Sequence, residues 1–470
     1  MLIDSATAPA AAQSKGSRFP AMLRIFAPPP PALAKLTAPD EIQAGYRLWR
    51  NRVLLSTIIG YATFYFVRKN LGIAMPVMEA SLGISKSNLG LFLTLHGVIY
   101  GVAKFANGFF ADRCNARVFM VVGLVASALL NICFGLSSTV LALGIFWMLN
   151  GWFQGMGFPP CARLMTHWFP PKQLATKMSI WNISHSIGAS LIVVLCGYLV
   201  IHSWRLCFFV PATIALLISI FLWFKLADTP PSVGLPELEG TRSRNSEDQS
   251  DDFKQILLRH VFSNKYIWLV ALANFSVYTV RYAILDWGPT LLTQAKHVEL
   301  AHAGWMVAGF EVAGLVGMLS CGWLTDNVFG GRGMRACFFY MGLAGLSILL
   351  FWKVSGESRT LNTLFLCAAG FFIYGPQALV GIIAANLATK RAAASAIGLT
   401  GLFGYASTIL SGWSLGWLVE KHGWNAGFIG MLIISTIGTM LFLLGWKAKA
   451  DGYTEEEHGV ERNLPKPRLV

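Results

Sequence analysis

The sequence predicts an all-α polytopic membrane protein in which twelve transmembrane helices form two pseudo-symmetric six-helix bundles. Of the 470 residues, 55% are hydrophobic and only 13% are charged. A soluble domain carries about 25% charged residues, so most of this chain must face lipid rather than water. Twelve apolar runs long enough to cross a bilayer fall into two sets of six, and short motifs recur between the sets at nearly one offset.

The apolar runs define the expected domains. The first set lies near residues 52–76, 88–111, 116–136, 139–163, 173–201 and 204–227. The second lies near 265–292, 302–325, 335–354, 360–388, 392–420 and 424–447. We therefore expect an N-terminal bundle over 51–228 and a C-terminal bundle over 265–447. The polar stretch 229–264 between them has the composition of a flexible linker, and 1–50 and 448–470 flank the bundles.

Basic residues mark every second connection between the runs. Arg113 and Arg117 follow the second run, and Arg332 and Arg335 follow the eighth. This positive-inside pattern predicts that both termini are cytoplasmic and that the chain lies in a bacterial inner membrane. It also accounts for the net charge of +14 without a nucleic-acid partner. No cleavable signal peptide precedes the first run, so that run is expected to direct insertion, with Met22 as an alternative start to Met1.

No catalytic constellation, nucleotide-binding loop or metal-ligand spacing occurs in the sequence. The eight cysteines lack the C-x-x-C spacing, and several lie inside apolar runs, where they indicate helix packing. We therefore expect no enzymatic activity, no cofactor and no metal. Without a nucleotide site, an ion or solute gradient must supply the energy for any transport.

An internal repeat relates the two sets of runs. The motif Y-x-x-R at 65–68 recurs at 278–281, and G-x-x-x-D at 108–112 recurs at 322–326, offsets of 213 and 214 residues. A third pair links G-F-P-P at 157–160 with G-P at 375–376. Three pairs in corresponding runs indicate duplication. Two parallel six-helix repeats are typical of secondary transporters that alternate around a site at the membrane midplane.

Two arginines lie where charge is costly. Arg68 and Arg281 each follow a basic residue by sixteen positions, which places them roughly 24 Å along their helices. Burying an arginine at that depth costs about 2.5 to 3.5 kcal/mol. Snorkelling could rescue one such residue near a helix end, but it does not explain why both halves keep the motif. A guanidinium matches phosphate oxygens bidentately, so we expect the pair to clamp a phosphate group.

Five other polar residues lie in apolar runs that are expected to line such a cavity. Lys69 follows the first arginine and points about 100° around the helix. Lys104 could face the cavity or snorkel to the cytoplasm. His185 could hydrogen-bond a neighbouring helix or serve as a proton-dependent donor to substrate, and both readings stay open. Asp286 is expected to pair with a nearby base, and Glu311 could accept hydrogen bonds from substrate hydroxyls.

The turn after the second run resembles the loop signature of the major facilitator superfamily. It consists of Asp112, Arg113 and Arg117, and it is repeated as Asp326 and Arg332. The resemblance implies that these residues pair across the cytoplasmic ends of helices and hold the outward-facing state. The alternative is that they only mark the topology of the chain.

Several segments resemble the organophosphate:phosphate antiporter family of that superfamily. They are 60–70 (GYATFYFVRKN), 151–160, 181–185 (WNISH), 277–282, 286–287 and 400–405. The resemblance implies the major facilitator fold and places substrate-binding residues at Arg68, Arg281 and His185. It implies further cavity residues at Tyr61, Tyr65, Lys69, Lys104, Asn182, Tyr278, Glu311, Tyr374 and Tyr405.

The family implies a function as well as a fold. A monomer would exchange an external phosphate ester for internal inorganic phosphate by alternating access in the bilayer. The resemblance favours glycerol-3-phosphate, because Ile397 and Thr400 stand where the hexose-phosphate transporter carries Asp and Lys. Hexose phosphate, phosphoglycerate and a non-transporting sensor of sugar phosphate remain open, as does a facilitator of neutral solutes, which would not need both arginines.

Overall fold

The structure is a computed structural model that describes residues 25–33, 35–111, 114–237, 258–388 and 393–448, apart from some side chains within them. All regular elements of these residues are helices. The first half, residues 39–225, contains Pro39–Phe66, Asn70–Leu82, Lys86–Ala111, Ala116–Leu136, Val140–Gln154, Phe158–Trp168, Pro171–Asn182, Ser184–Leu199 and Leu206–Lys225. The second half, residues 265–444, contains Lys265–Lys296, Leu300–Asn327, Gly333–Lys353, Arg359–Leu387, Ala393–Ala406, the π-helix Ile409–Ser414 and Leu415–Leu444. Short helices Pro230–Val233 and Leu258–Phe262 flank residues 238–257, which lie outside the described part.

These helices make twelve crossings, which we number as spans 1 to 12. Among the described residues, eight helical segments are long and apolar enough to cross a membrane. One of them, Ser395–Leu444, contains spans 11 and 12, because Gly423 interrupts it with φ 74° and ψ 176°. The other three crossings are span 2 (Lys86–Ala111) and spans 1 and 4, whose helices are interrupted at 67–69 and 155–157. The count agrees with the twelve predicted spans.

The interruptions differ in their local cause. In span 4 the second helix begins at Phe158 with prolines in its first turn, and glycines stand at 155 and 157. Proline suits the first turn of a helix because its missing N–H has no intrahelical partner there. In span 1 the break at Val67, Arg68 and Lys69 has neither proline nor glycine. Neighbouring spans must therefore hold it.

The two halves meet tightly at one end, which we call the closed end; it carries the turns at 83–85 and 297–299. A Cβ added at Gly90 of span 2 would lie 2.5 Å from the carbonyl oxygen of Gly412 in span 11. A Cβ at Gly304 of span 8 would lie 2.9 Å from the carbonyl oxygen of Val193 in span 5. Small residues let membrane helices approach this closely, so these two crossings seal the halves together.

The opposite end, which we call the open end, carries the turns at 169–170 and 328–332. The segment before span 1 lies against the first half there. The Asn115 N–H donates to the carbonyl of Phe26 (2.7 Å), whose ring packs edge-on against Phe119 with centroids 6.2 Å apart. The Ala32 N–H donates to the carbonyl of Pro231 (2.9 Å). This segment therefore ties the start of span 3 to the beginning of the linker.

Candidate functional site

A cavity of about 650 Å³ lies between the two halves. At the closed end the crossings of spans 2 with 11 and 5 with 8 bound it, and toward the open end Ile180, Leu319 and Ile382 line its walls. The volume is typical of a site for a small molecule. The predicted site residues on its wall are Tyr61, Tyr65, Arg68, Lys104, Asn182, His185, Tyr278, Arg281, Tyr374 and Tyr405.

Arg281 is held by side chains of its own half. It lies in the unbroken helix Lys265–Lys296, and its Nη2 donates to the hydroxyl of Tyr374 (2.7 Å). The same nitrogen lies 3.5 Å from a carboxylate oxygen of Glu311, a residue with no solvent exposure. A carboxylate this close neutralises most of the arginine's charge, so Arg281 reaches the cavity as part of an ion pair.

Arg68 is held differently. Its guanidinium carbon lies 4.0 Å from the ring centroid of Tyr100 and 5.4 Å from that of Tyr65. Aromatic faces attract a cation but do not cancel its charge. Among the described residues no carboxylate lies within ion-pair distance of Arg68. The two arginines of the repeat are therefore not equivalent, because Arg68 keeps its full charge toward the cavity.

Lys104 is the second cation on the wall without a carboxylate partner in the described part of the chain. Its Nζ donates to the hydroxyl of Tyr405 (3.1 Å), which belongs to the second half. It also lies 4.3 Å from the ring centroid of Phe158. The sequence left open whether Lys104 faces the cavity or extends toward the cytoplasm. In the structure it faces the cavity.

Lys69 does not line the cavity. Its Nζ lies 2.5 Å from a carboxylate oxygen of Asp286, and the side chains are only 7% and 15% exposed. The pair joins span 1 to span 7 and therefore links the two halves. The expected pairing of Asp286 with a base is present. Lys69 lies off the cavity wall in this state, and its contact with substrate stays a prediction. The break at 67–69 ends the regular 100° spacing from which the lysine's direction was inferred.

Glu311 is also placed behind the wall rather than on it. It is fully buried beneath Arg281, whose Nη2 lies 3.5 Å from one of its carboxylate oxygens. In this state it balances the charge of the arginine and does not reach a substrate hydroxyl.

His185 lines the cavity with both ring nitrogens occupied within its own span. Nδ1 contacts the carbonyl of Asn182, and Nε2 lies 3.2 Å from the hydroxyl of Ser186. The ring lies 5.9 Å from that of Tyr65, centroid to centroid. A neutral imidazole that donates through Nδ1 can accept at Nε2, so this arrangement needs no charge on the histidine.

Tyrosines cover much of the remaining wall. In the first half Tyr61 packs against Tyr65 with centroids 5.7 Å apart, and in the second half Tyr278 lies 6.3 Å from Tyr405. Asn182 is exposed at the interruption of span 5. Hydroxyl and amide groups of this kind can accept or donate hydrogen bonds to a polar ligand.

The predicted gating residues that the structure describes, Arg117, Asp326 and Arg332, lie at the open end. Asp112 and Arg113 fall outside the described residues. The guanidinium carbon of Arg117 lies 5.1 Å from the ring centroid of Trp223, in the same half. Asp326 and Arg332 line a smaller cavity of about 310 Å³ within the second half. The described gating residues thus contact their own halves in this state, and the gating hypothesis remains a prediction.

Four aromatic or polar lining residues were not singled out from the sequence. They are Tyr100, Phe158, Tyr282 and Gln377. Tyr100 lies one helical turn before Lys104 and so shares its face, a spacing that could have identified it. Gln377 has a buried side-chain oxygen without a hydrogen-bond partner, but nothing in the sequence distinguishes it from a packing residue.

The cavity can therefore hold an anion of two charges. The pairs Lys69–Asp286 and Arg281–Glu311 are internally balanced, which leaves Arg68 and Lys104 uncompensated at the wall. A phosphate monoester dianion has two negative charges and oxygens that accept from guanidinium and ammonium donors.

Comparison with known proteins shows similarity to membrane transporters of one superfamily. The family model described as Major Facilitator Superfamily matches residues 57–412. The chain is 40% identical to a glycerol-3-phosphate transporter of Bacillus subtilis (strain 168), over 90% of this chain and 98% of the relative. It is 38% identical to a probable hexose phosphate transport protein of Chlamydia trachomatis serovar D, over 93% and 99%. A bacterial homologue of the human lysosomal transporter Spinster, in an inward-facing and occupied conformation, has a similar fold (TM-score 0.70, 13% identity, 86% of this chain and 98% of that one).

Proposed function

Because the chain belongs to the major facilitator superfamily and matches its organophosphate:phosphate antiporter family, we propose that it exchanges an external organic phosphate ester for internal inorganic phosphate. Glycerol-3-phosphate is the first candidate ester. The observation that carries the proposal is the charge of the cavity. Arg68 and Lys104 have no carboxylate partner among the residues that the structure describes, and Arg281 presents a third donor from the other half. Inorganic phosphate has the same oxygen pattern as the ester and would satisfy the same groups.

The site spans both halves, and this supports exchange rather than simple binding. Arg68 and Lys104 belong to the first half, and Arg281 and Tyr374 belong to the second. A phosphate bridging them would draw the halves together at the open end. Without an anion, closure would bring unbalanced cations together in a low-dielectric site, so the empty carrier should resist the return step.

We propose that the open end faces the cytoplasm, in an inner membrane. Arg332 and Arg335 lie there, and cytoplasmic connections are enriched in arginine and lysine. In this orientation the site would be accessible from inside. Internal phosphate would then occupy it, and its outward gradient would drive uptake of the ester.

Hexose phosphate is the second candidate. The similarity to a probable hexose phosphate transport protein extends over nearly the whole chain, and a cavity of about 650 Å³ has room for a sugar ring as well as a glycerol backbone. The same cations would bind the phosphate group of either ester. Selection between the esters would then fall to the neutral groups of the wall.

The test is exchange in proteoliposomes loaded with inorganic phosphate. Uptake of labelled glycerol-3-phosphate should require internal phosphate, and glucose-6-phosphate and 3-phosphoglycerate should be offered in parallel. Arg68→Lys and Arg281→Lys keep the charge but lose the planar fork. Each loses at least one charge-assisted hydrogen bond worth about 1.5 to 3 kcal/mol, which corresponds to roughly a 10- to 100-fold loss of exchange.

Arg205→Lys is the matched control. This arginine donates to the backbone carbonyls of Gly135 (2.7 Å) and Ser137 (2.9 Å) and does not line the cavity. Its variant should exchange like the wild type. Wild-type exchange in both cavity variants would refute the clamp. Saturable ester binding without any exchange would point to a sensor, and uptake indifferent to phosphate would point to a facilitator of other solutes.

A further inference from the structure

The helix of span 1 is interrupted at Arg68. The helix Pro39–Phe66 ends there, and the next helix begins at Asn70. Val67 has φ −100° and ψ 19°, and Lys69 has φ −99° and ψ −1°. The counterpart Arg281 lies in a continuous helix of 32 residues. The two halves therefore share the arginine but differ in the backbone conformation at that position.

Buried asparagines occupy the gap that this break opens. The carbonyl oxygen of Val67 accepts hydrogen bonds from the side-chain amides of Asn131 in span 3 (3.0 Å) and Asn150 in span 4 (2.8 Å). The amide of Asn70 donates to the side-chain oxygen of Asn131 (2.9 Å) and to the carbonyl of Cys207 in span 6 (2.9 Å). All three asparagines are at most 1% exposed. Side chains of spans 3 and 4 thus bond the peptide group that precedes Arg68, and Asn70 connects this network to span 6.

Helix packing alone gives no reason for this arrangement. Kinks in helices arise at proline or glycine, or where a side chain inserts into the hydrogen-bond ladder, and residues 67–69 contain neither proline nor glycine. Burying an amide within a bilayer is costly, and the side-chain oxygens of Asn70 and Asn150 have no hydrogen-bond partner among the described residues, so the bonds donated by the three amides must offset that cost. Those bonds satisfy the carbonyl freed by the break.

Arg68 also has less side-chain support than its counterpart. Arg281 is fixed at its guanidinium by Tyr374 and Glu311. Arg68 rests against the rings of Tyr100 and Tyr65, with a hydrogen bond to the Tyr100 side chain but no carboxylate partner in the described part of the chain. Because no ion pair fixes it, its direction depends on its backbone as well as on Tyr100.

We propose that Asn70, Asn131 and Asn150 are positioning residues that hold the break in span 1 and so aim Arg68 at the substrate phosphate. We call them the asparagine network. The inference rests on the proposed function for the identity of the ligand, but the positioning of the arginine can be measured without a ligand.

The first experiment measures the direction of Arg68 directly. Purified protein is treated with phenylglyoxal, a dicarbonyl that modifies arginine, and adducts at Arg68 and Arg281 are quantified by peptide mass spectrometry in the same sample. In Asn150→Ala and Asn131→Ala the ratio of the two labelling rates should change at least threefold. The control is Asn362→Ala, which removes a fully buried amide of span 10 that donates to the carbonyls of Ser355 (2.8 Å) and Ser358 (3.0 Å) in the preceding turn. It should leave the ratio unchanged.

The second experiment asks whether the network acts through the arginine. The Kd for inorganic phosphate should rise about fivefold in Asn150→Ala and by less than twofold when Arg68→Lys is already present. In the Arg281→Lys background the fivefold effect should persist. A merely structural role would instead weaken binding equally in both backgrounds, in step with the melting temperature.

Three outcomes would overturn the proposal. They are an unchanged labelling ratio in folded Asn150→Ala, an equal loss of phosphate affinity in both arginine backgrounds, and loss of cooperative melting in Asn150→Ala while Asn362→Ala keeps it. The last would make the network a requirement for folding. If the wild type binds no phosphate or ester, the proposed function fails, and the labelling ratio still decides the positioning role.

Discussion

Neutralising Asp286 is expected to loosen the closed end of the cavity. Its carboxylate lies 2.5 Å from the Nζ of Lys69, and the side chains are 15% and 7% exposed. The pair links span 1 to span 7, and the backbone of the two spans is in contact beside it, where a Cβ at Gly72 would lie 2.8 Å from the carbonyl oxygen of Asp286. The substitution Asp286→Asn would leave the lysine buried directly beside Arg68.

The size of the effect follows from this burial. Removing one partner of a buried ion pair costs about 3 to 5 kcal/mol, because the other charge stays desolvated. The partial exposure of Asp286 places this pair near the lower bound, so the equilibrium between sealed and separated halves should shift about 100-fold. Lys69→Gln should shift it less, since the remaining carboxylate is attracted by the nearby arginine, whereas Asp286→Asn leaves two adjacent cations.

The shift can be read from the reactivity of a buried cysteine. Met75 is fully buried and lies three residues from Gly72, on the same helix face. In a Met75→Cys protein the rate of maleimide labelling should rise about 100-fold when Asp286→Asn is added. The double variant Lys69→Gln/Asp286→Asn should label more slowly than Asp286→Asn alone, because no unpaired charge remains. The parent protein without Met75→Cys gives the background from native cysteines.

Arg163→Gln serves as the control, because Arg163 of span 4 pairs with Asp228, which follows span 6, at a distance of 3.2 Å, and this pair does not join the halves. Added to Met75→Cys, it should leave the labelling rate near that of Met75→Cys alone. Unchanged labelling in Asp286→Asn, or equally fast labelling in the double variant, would refute the view that this ion pair stabilises the closed end.

Three further predictions follow from individual contacts. Glu311→Gln should lower both the KM for phosphate and the maximal exchange rate about threefold or more, because Arg281 would lose its balancing charge and hold the anion longer; a raised KM would contradict this. Gly90→Ala should accelerate labelling of the reporter cysteine, since the new Cβ would lie 2.5 Å from the carbonyl oxygen of Gly412, while Gly322→Ala, with nothing within 4 Å, should not. Phe26→Ala should lower the Tm by about 2 °C through the loss of its aromatic contact, and an unchanged melting curve would show that the segment before span 1 adds no stability.

Much of the fold could be read from the sequence because lipid imposes a simple rule. Apolar runs of the right length must become helices, so the twelve crossings and the all-helical class were predictable. The interruption of span 1 was not, because no proline or glycine marks it. That break also explains why the direction of Lys69 could not be inferred, since the angular spacing of residues holds only along a continuous helix.

The candidate site was predictable to a similar degree. Ten of the twelve predicted contacts lie on one cavity wall, and the family resemblance together with the cost of buried charge pointed to them. The two that do not, Lys69 and Glu311, are charged residues whose role depends on a partner distant in sequence. Tyr282 and Gln377 were missed because burying a tyrosine or a glutamine in a membrane helix costs much less free energy than burying a charge. Their presence therefore does not distinguish a cavity-lining position from a packed one.

The sequence by itself determined the membrane class, the number of spans, the repeat and the pair of intramembrane arginines, because each follows from local composition or from the free-energy cost of a single residue. Only the tertiary structure decided which charges neutralise one another. Lys69 pairs with Asp286 across 217 positions, and Arg281 has a carboxylate beneath it, whereas Arg68 has none in the described ranges of the chain. Ion pairing depends on the distance in space between two charges, because their attraction weakens as that distance grows. The order of residues along a chain does not specify this distance.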